Sequence, residues 1–307
     1  MAKSSHSEVE TFLTCERKHY YSYGLGVDSK ITSEALYRGQ CGHAGLQGYY
    51  EALKNGASFD DAIAWGLKQC VKESSKYEVY NKDVLMAEVQ MLLIDYFEYW
   101  EEVDKELEIL ETEYKIKVPT GNGNTMTVVI DLLAREKNVG IVATDHKFTY
   151  DFYNPEVIDL SPQLVKYLAA LRSVDVPVVR LQYNEIRTRS TKENREDRTK
   201  LFKRTPFRPS KARVSRTMKE HFAAADRIMV FKEMPIEEWS DKALRVANRM
   251  VCQSCQFKDL CTSELNDWGI NSILHHEFDK KVPRSDISKS PEYRPMDPDA
   301  GGESTGS

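Results

Sequence analysis

The chain has 307 residues, 41% of them hydrophobic and 30% charged. At roughly 150 residues per domain that makes one large domain or two smaller ones, and the apolar content excludes wholesale disorder. A net charge of −5 argues by itself against a nucleic-acid partner, but the average hides a strongly basic stretch. No apolar run approaches the ~18–20 residues of a membrane helix. The N-terminus runs into a polar, helix-like segment, which predicts no signal peptide and a cytoplasmic protein. In a reducing compartment the six cysteines are expected as thiols or metal ligands, not disulfides.

Ser7 to Tyr23 has Val9, Phe12, Leu13 and Tyr20 at helical spacing. Helices are predicted again over 34–54, 58–75 and 83–107, so residues 1–107 form an N-terminal helical region. The period then changes. Residues 108–118 alternate apolar and polar, as a half-buried strand does. Pro119 to Asn124 is a turn, Met126 to Arg135 a second strand, 137–140 a turn and Ile141 to Phe148 a third strand. Ser161 is expected to cap a helix with Pro162 at its first position, ending near Arg172. Pro177 to Arg187 is a fourth strand. Three meandering strands and a helical crossover imply an α/β (α+β) domain, with a mixed sheet flanked by helices over 108–188.

Residues 187–219 hold thirteen Lys or Arg against Glu193, Glu196 and Asp197. This segment, centred on 189–218, suits phosphate contact, with Arg204, Arg208, Lys211 and Arg213 as candidates. Phe202 and Phe207 are expected to stack on bases of a single strand. The plainer reading is a solvated loop. Helices are predicted over 219–231 and 236–250, within a C-terminal region 219–282. Residues 283–307, rich in Pro, Gly, Ser and Asp, are expected to be a disordered tail.

Asp131 lies within an apolar strand, where a carboxylate is costly unless something pairs with it. Asp145 and Lys147 sit two apart on the next strand and so share a face. A hairpin through 137–140 brings Asp131 near Asp145. Two repelling acids call for a divalent cation, and hard oxygens favour Mg²⁺ or Mn²⁺. The lysine could orient a water and stabilise charge developing on a phosphate. A structural salt bridge is the alternative. His43 offers an imidazole beside a glycine in the helical region, and Gln163 and Tyr167 share a face of the helix after the lysine strand.

In this order, Gly39-x-x-x-His43, Asp131, Asp145-x-Lys147 and Gln163-x-x-x-Tyr167 resemble the RecB-like branch of the PD-(D/E)XK nuclease superfamily. The resemblance covers roughly residues 7–265. It implies a restriction-endonuclease-like core with His43, Asp131, Asp145 and the His146 carbonyl as metal ligands. It further implies Lys147 as catalytic alongside the two aspartates, and Gln163 and Tyr167 in contact with DNA. Glu113, with Glu111 nearby, matches a frequent family acid. The chain departs in having Asp rather than Glu before x-Lys, which the family tolerates.

Cys252-x-x-Cys255 followed by Cys261 presents three thiolates to a metal centre, and Cys15 is the best fourth candidate. Cys41 and Cys70 read as packing. Spacing alone leaves zinc or iron–sulfur open. The Cys-x-Arg-Lys-x-Tyr-Tyr context resembles the iron–sulfur RecB-like exonucleases, the CRISPR-associated and AddB types, which implies a [4Fe–4S] cluster. The expected function is a DNA exonuclease of a bacterium, archaeon or phage, acting on single strands or duplex ends in recombination, repair or CRISPR adaptation. Recombination or adaptation proteins, or further copies of the chain, are expected as partners. A catalytically silent DNA-binding iron–sulfur module is the rival.

Overall fold

The computed structural model describes residues 3–119, 125–189 and 191–281. Of the turn expected over 119–124, Pro119 ends a strand and the rest lies outside the described residues, as does the tail expected from 283. No helix of the described residues is long and apolar enough to cross a membrane.

The chain opens with β1 (Lys3–Ser5), α1 (His6–Thr14) and α2 (Glu16–His19), then a π-helical turn over Tyr20–Gly24 and β2 (Val27–Ser29). The single helix expected over 7–23 is therefore broken. The break falls at Cys15, whose backbone is extended (φ −167°, ψ 116°).

Three long helices follow: α3 (Glu34–Lys54), α4 (Phe59–Ser74) and α5 (Lys82–Asp104). Ser33 and Ser58 cap the first two, accepting from Leu36 N at 3.3 Å and Asp61 N at 3.2 Å. These helices bury Tyr37, Tyr49, Tyr50, Leu93, Tyr96 and Phe97 in one core, with Cys41 and Cys70 packed inside it. α3 and α4 meet backbone to backbone: a Cβ on Gly66 would stand 2.8 Å from the carbonyl oxygen of Gly45.

The sheet comprises β3 (Leu107–Pro119), β4 (Thr125–Glu136), β5 (Gly140–Thr149), β6 (Val178–Arg187) and β7 (Phe202–Phe207), together with β1. β3 pairs antiparallel with β4 along its length. On β4's other edge β1 runs parallel to residues 125–127, whereas β5 pairs antiparallel only with residues 132–136. β4 and β5 thus form a fork. β5 continues beyond it in parallel with β6, which pairs antiparallel with β7. The mixed sheet flanked by helices agrees with the expected class.

The crossover from β5 to β6 contains α6 (Pro155–Leu160) and α7 (Gln163–Ser173). Ser161 is extended and Pro162 has α-helical backbone angles, and Gln163 N donates to Ser161 Oγ at 3.5 Å, a long version of the expected cap. Asn154 followed by Pro155 supplies that grammar one helix earlier, with Asn154 accepting from Glu156 N at 3.1 Å. Ser161 also hydrogen-bonds the Tyr183 hydroxyl at 2.6 Å.

The basic stretch is structured. It contains α8 (Lys192–Glu196), β7 and the first turns of α9 (Lys211–Glu233), which starts at its Ser210 cap well before residue 219. Phe202 and Phe207 are 2% and 5% exposed and belong to the cores on the sheet's two faces. They are therefore not available to stack on bases. Pro206 is tolerated because β7 is an edge strand.

The remaining elements are α10 (Ile236–Lys242), α11 (Arg249–Gln253), α12 (Lys258–Leu265), α13 (Asn271–Glu277) and β8 (Phe278–Lys280). The helix expected over 236–250 is interrupted between α10 and α11. β8 pairs with β2, and a third core joins Val9, Phe12 and Tyr21 to Ile228, Trp239 and Phe257. The N-terminal helices and the C-terminal helices are clasped by ordinary packing.

Arg204 faces inward. Its guanidinium meets Asp104 at 2.8 and 3.0 Å, donates to the Tyr96 hydroxyl at 2.9 Å and stacks 4.0 Å from the Trp100 ring centroid. The side chain of Asp104 is fully buried. This overturns the expectation that Arg204 contacts phosphate. Removing one partner of a buried ion pair leaves the other uncompensated. Arg204→Met should therefore cost about 3–5 kcal/mol in urea denaturation, and adding Asp104→Leu should restore much of that loss.

Candidate active site

The fork places two carboxylates side by side. Asp131 lies one residue before the β4–β5 ladder begins and Asp145 one residue beyond Thr144, the last β5 residue in that ladder. Where the strands part, the His146 N–H turns to a side chain and donates to Asp131 Oδ2 at 2.8 Å. Lys147, on the same face as Asp145, places Nζ 2.7 Å from Asp145 Oδ2.

α7 closes the site. Gln163 Nε2 donates to Asp145 Oδ1 at 2.7 Å, and Lys147 Nζ donates to Gln163 Oε1 at 2.7 Å. The Tyr167 hydroxyl donates to the same Asp145 oxygen at 2.8 Å. Gln163 and Tyr167, expected to touch DNA, are thus directed at the acid and the lysine. Tyr167 is only 3% exposed, so its hydroxyl serves the carboxylate.

α3 brings His43 to the opposite side, with Nδ1 3.4 Å from Asp131 Oδ2. The approach depends on Gly42: a Cβ there would come within 2.1 Å of the Phe148 ring on β5, whereas a Cβ on Gly39 would meet nothing within 4 Å. Glu113 comes from β3, where its backbone adopts the left-handed φ of 48° within a strand. Such strain persists where surrounding structure imposes it, often at functional sites. Glu111 points elsewhere, to Lys54 at 2.9 Å.

Ligand atoms of His43, Glu113 and Asp131 all lie within 4.8 Å of one another, the one such trio of His, Cys, Asp or Glu donors found among the described residues. One imidazole and two carboxylates suit a divalent cation such as Mn²⁺ or Mg²⁺. Asp145 lies beyond this trio, its oxygens engaged by Lys147, Gln163 and Tyr167. Glu113, which the sequence matched only to a frequent family acid, is therefore better placed for the cation than Asp145.

Burial, partly offset by His43 and reinforced by the Asp145 charge, pushes the Asp131 carboxyl up from 3.8 to about 6. A cation would reverse that. Burial pulls Lys147 down, but Asp145 and Asp131 outweigh it and hold the amine above its usual range. Lys147 is thus an ammonium at neutral pH. The His146 ring projects away from the acids into the helical layer, where burial, with the charges of His43 and Arg204, keeps it neutral.

Arg208 and Lys211 are exposed at the start of α9 and Arg213 is half-buried. Arg213 donates to the Ser161 carbonyl at 3.4 Å, two residues before Gln163, so this basic row begins beside the site. Cys15 Sγ lies 3.9 Å from the Leu244 carbonyl and Cys252 Sγ 3.4 Å from that of Val246. The Cys255 thiol is pushed up chiefly by burial, with Cys15 and Cys252 close enough to add to it. Cys261 is half-buried on α12.

With this geometry, the sequence model of the PD-(D/E)XK nuclease superfamily matches residues 3–262, and the chain belongs to that superfamily. No curated protein matches the sequence. Among solved structures, a Eubacterium rectale protein provisionally described as an exonuclease is similar at 11% identity and a TM-score of 0.48, over 81% of this chain and 87% of that one.

Because the unfolded chain releases the Asp131 proton near 3.8 and the fold retains it to about 6, the metal-free fold is increasingly penalised as pH rises between those values. Cation binding must displace that proton. Mn²⁺ affinity should fall about tenfold per pH unit below 6 and level off above it. Calorimetric titration across that range checks this, and Asp131→Asn should flatten the dependence and remove most of the binding.

Proposed function

We propose that the protein is a metal-dependent DNA exonuclease that hydrolyses phosphodiester bonds, on single strands or duplex ends. The observation that carries this is the convergence of Asp131, Asp145 and Lys147 at the β4–β5 fork with His43 and Glu113 facing them.

His43, Glu113 and Asp131 would hold Mg²⁺ or Mn²⁺, with Asp145 and the His146 carbonyl as the further ligands the family resemblance implies. Once bound, such an ion lowers the pKa of a coordinated water and neutralises phosphate charge. The remaining work falls to the chain. Lys147 enters protonated, so it is not the base. It donates to the attacking water and to the phosphate oxygens, held on its heading by Asp145 and Gln163. Tyr167 and Gln163 fix Asp145 in one rotamer. Arg208, Lys211 and Arg213 lead the strand along α9 toward the site through sequence-independent phosphate contacts.

The intact Asp145-x-Lys147 pair favours an enzyme over a silent binding module. Lys147→Ala should retain Mn²⁺ binding yet lose about 10²–10³-fold in cleavage rate. Digestion of end-labelled single- and double-stranded DNA with Mg²⁺, Mn²⁺ and chelator tests both points. A chelator-insensitive rate, or a wild-type rate for Lys147→Ala, would refute the assignment.

Cys15, Cys252, Cys255 and Cys261 are proposed to hold a [4Fe–4S] cluster. What supports it is the family resemblance and the neighbourhood of these thiols, Cys15 and Cys252 both lying close enough to Cys255 to act on it. Purified under low oxygen the protein should be brown, and Cys15→Ala should bleach it and lower its melting temperature. Colourless protein carrying zinc would overturn this. The biological setting proposed is recombination, repair or CRISPR adaptation, in the cytoplasm of a prokaryotic or phage-infected cell.

A further inference from the structure

His146 stands between Asp145 and Lys147, and strand alternation sends its ring to the other face. There it is 2% exposed and enclosed by polar and aromatic groups. The Tyr50 ring of α3 lies almost parallel to it, 3° between planes with centroids 5.7 Å apart. Asn184 of β6 places Nδ2 2.7 Å from His146 Nδ1 and donates to the Tyr96 hydroxyl at 2.8 Å. Tyr96 and Tyr50 share a hydrogen bond of 2.9 Å, and Tyr50 donates to Asp104, the partner of Arg204.

The chain of contacts runs from the helical layer through Asn184 to one imidazole, and that residue's peptide N–H holds Asp131. We propose that Asn184 is a positioning residue of the active site. By holding the His146 ring from behind, it sets the peptide that orients Asp131 and the rotation of β5 that presents Asp145 and Lys147 on one face. Neither substrate nor metal touches it. β5 stays paired with β6 here, His146 in register with Asn184, but on the β4 side the fork has opened and this peptide has no ladder partner; the ring anchor steadies it on that open side. The inference rests on the nuclease reading for the meaning of the site, but its geometry can be tested without turnover.

A control lies two residues away on the same face of β6. Gln182 is also buried and donates to Thr144 Oγ1 at 2.9 Å, a residue inside the ladder. Asn184→Leu removes two buried side-chain hydrogen bonds, to His146 and to Tyr96, and Gln182→Met removes one, to Thr144. Mn²⁺ affinity by electron paramagnetic resonance, single-turnover cleavage rate and KM for DNA are measured for both, alongside melting temperature. For Asn184→Leu we expect Mn²⁺ affinity or single-turnover rate to fall about 10–100-fold, as for other partners that orient metal ligands, with KM unchanged. Gln182→Met should lose only melting temperature. Should Asn184→Leu fail to fold, Asn184→Ser, whose hydroxyl is too short to reach His146, gives the same readouts. Wild-type Mn²⁺ affinity and rate in a folded Asn184 variant would overturn the proposal, as would equal losses in Gln182→Met. If the wild-type protein cleaves no DNA but Asn184→Leu still weakens Mn²⁺ binding, the nuclease reading fails and the positioning role stands.

Discussion

The molecule depends on the place where β4 and β5 separate. Their ladder runs from Glu136↔Gly140 to Leu132↔Thr144 and stops. One residue further, an acid on each strand faces the opening, and the peptide N–H that would have continued the ladder is given to Asp131 instead. Two carboxylates so placed repel each other, and burial makes the repulsion costly. The cost appears in the raised Asp131 carboxyl, and the surrounding residues manage the rest: Lys147, Gln163 and Tyr167 hold Asp145, while His43 faces Asp131. They come from β5, α7 and α3, so the fork fixes where α3 and α7 must dock.

This makes the helical region before the sheet part of the site. α3 approaches β5 through Gly42, close enough for His43 to reach the acid. The tyrosines of α3 and α5 reach the back of the same strand through Asn184. The Arg204–Asp104 pair ties the end of α5 to the edge strand β7, where its desolvation is offset by hydrogen bonds to Tyr96 and by the Trp100 face. The two ends of the chain meet on the other side: Glu264 of α12 accepts from Arg17 at 3.2 Å and from Tyr21 at 2.6 Å. A cross-link between Cys15 and the later cysteines would close a loop that packing already brings together, so it would act mainly on the unfolded chain.

The acids, the lysine and the helices over 34–54 and 58–75 were legible in the sequence because their signals are local. Period-2 alternation assigns Asp145 and Lys147 to one face, and serine caps mark the helix starts. Arg204 was misread because its partner lies 100 residues earlier, and a count of charges cannot tell a guanidinium facing solvent from one facing a buried carboxylate. β7 was hidden for the same reason: its two phenylalanines are core residues, but the lysines and arginines around them set the local composition. Gln163 and Tyr167 were placed on the correct helix face, yet only the docking of α7 shows that they address Asp145. Glu113 depended on a backbone conformation that no sequence pattern announces.

The charge of the site also constrains how a substrate can be accepted. Three carboxylates, Glu113, Asp131 and Asp145, gather at the fork, with Lys147 on Asp145 and His43 facing Asp131. A phosphodiester brought to Lys147 adds another negative charge beside these acids, in a partly buried setting where Coulomb forces are weakly screened. The exposed cations of α9 can draw a strand toward the site, but they lie outside the fork and cannot neutralise its interior. On the proposed reading, the trio of His43, Glu113 and Asp131 is where a divalent cation restores balance, and its entry and the phosphate's are electrostatically coupled: each lowers the cost of the other.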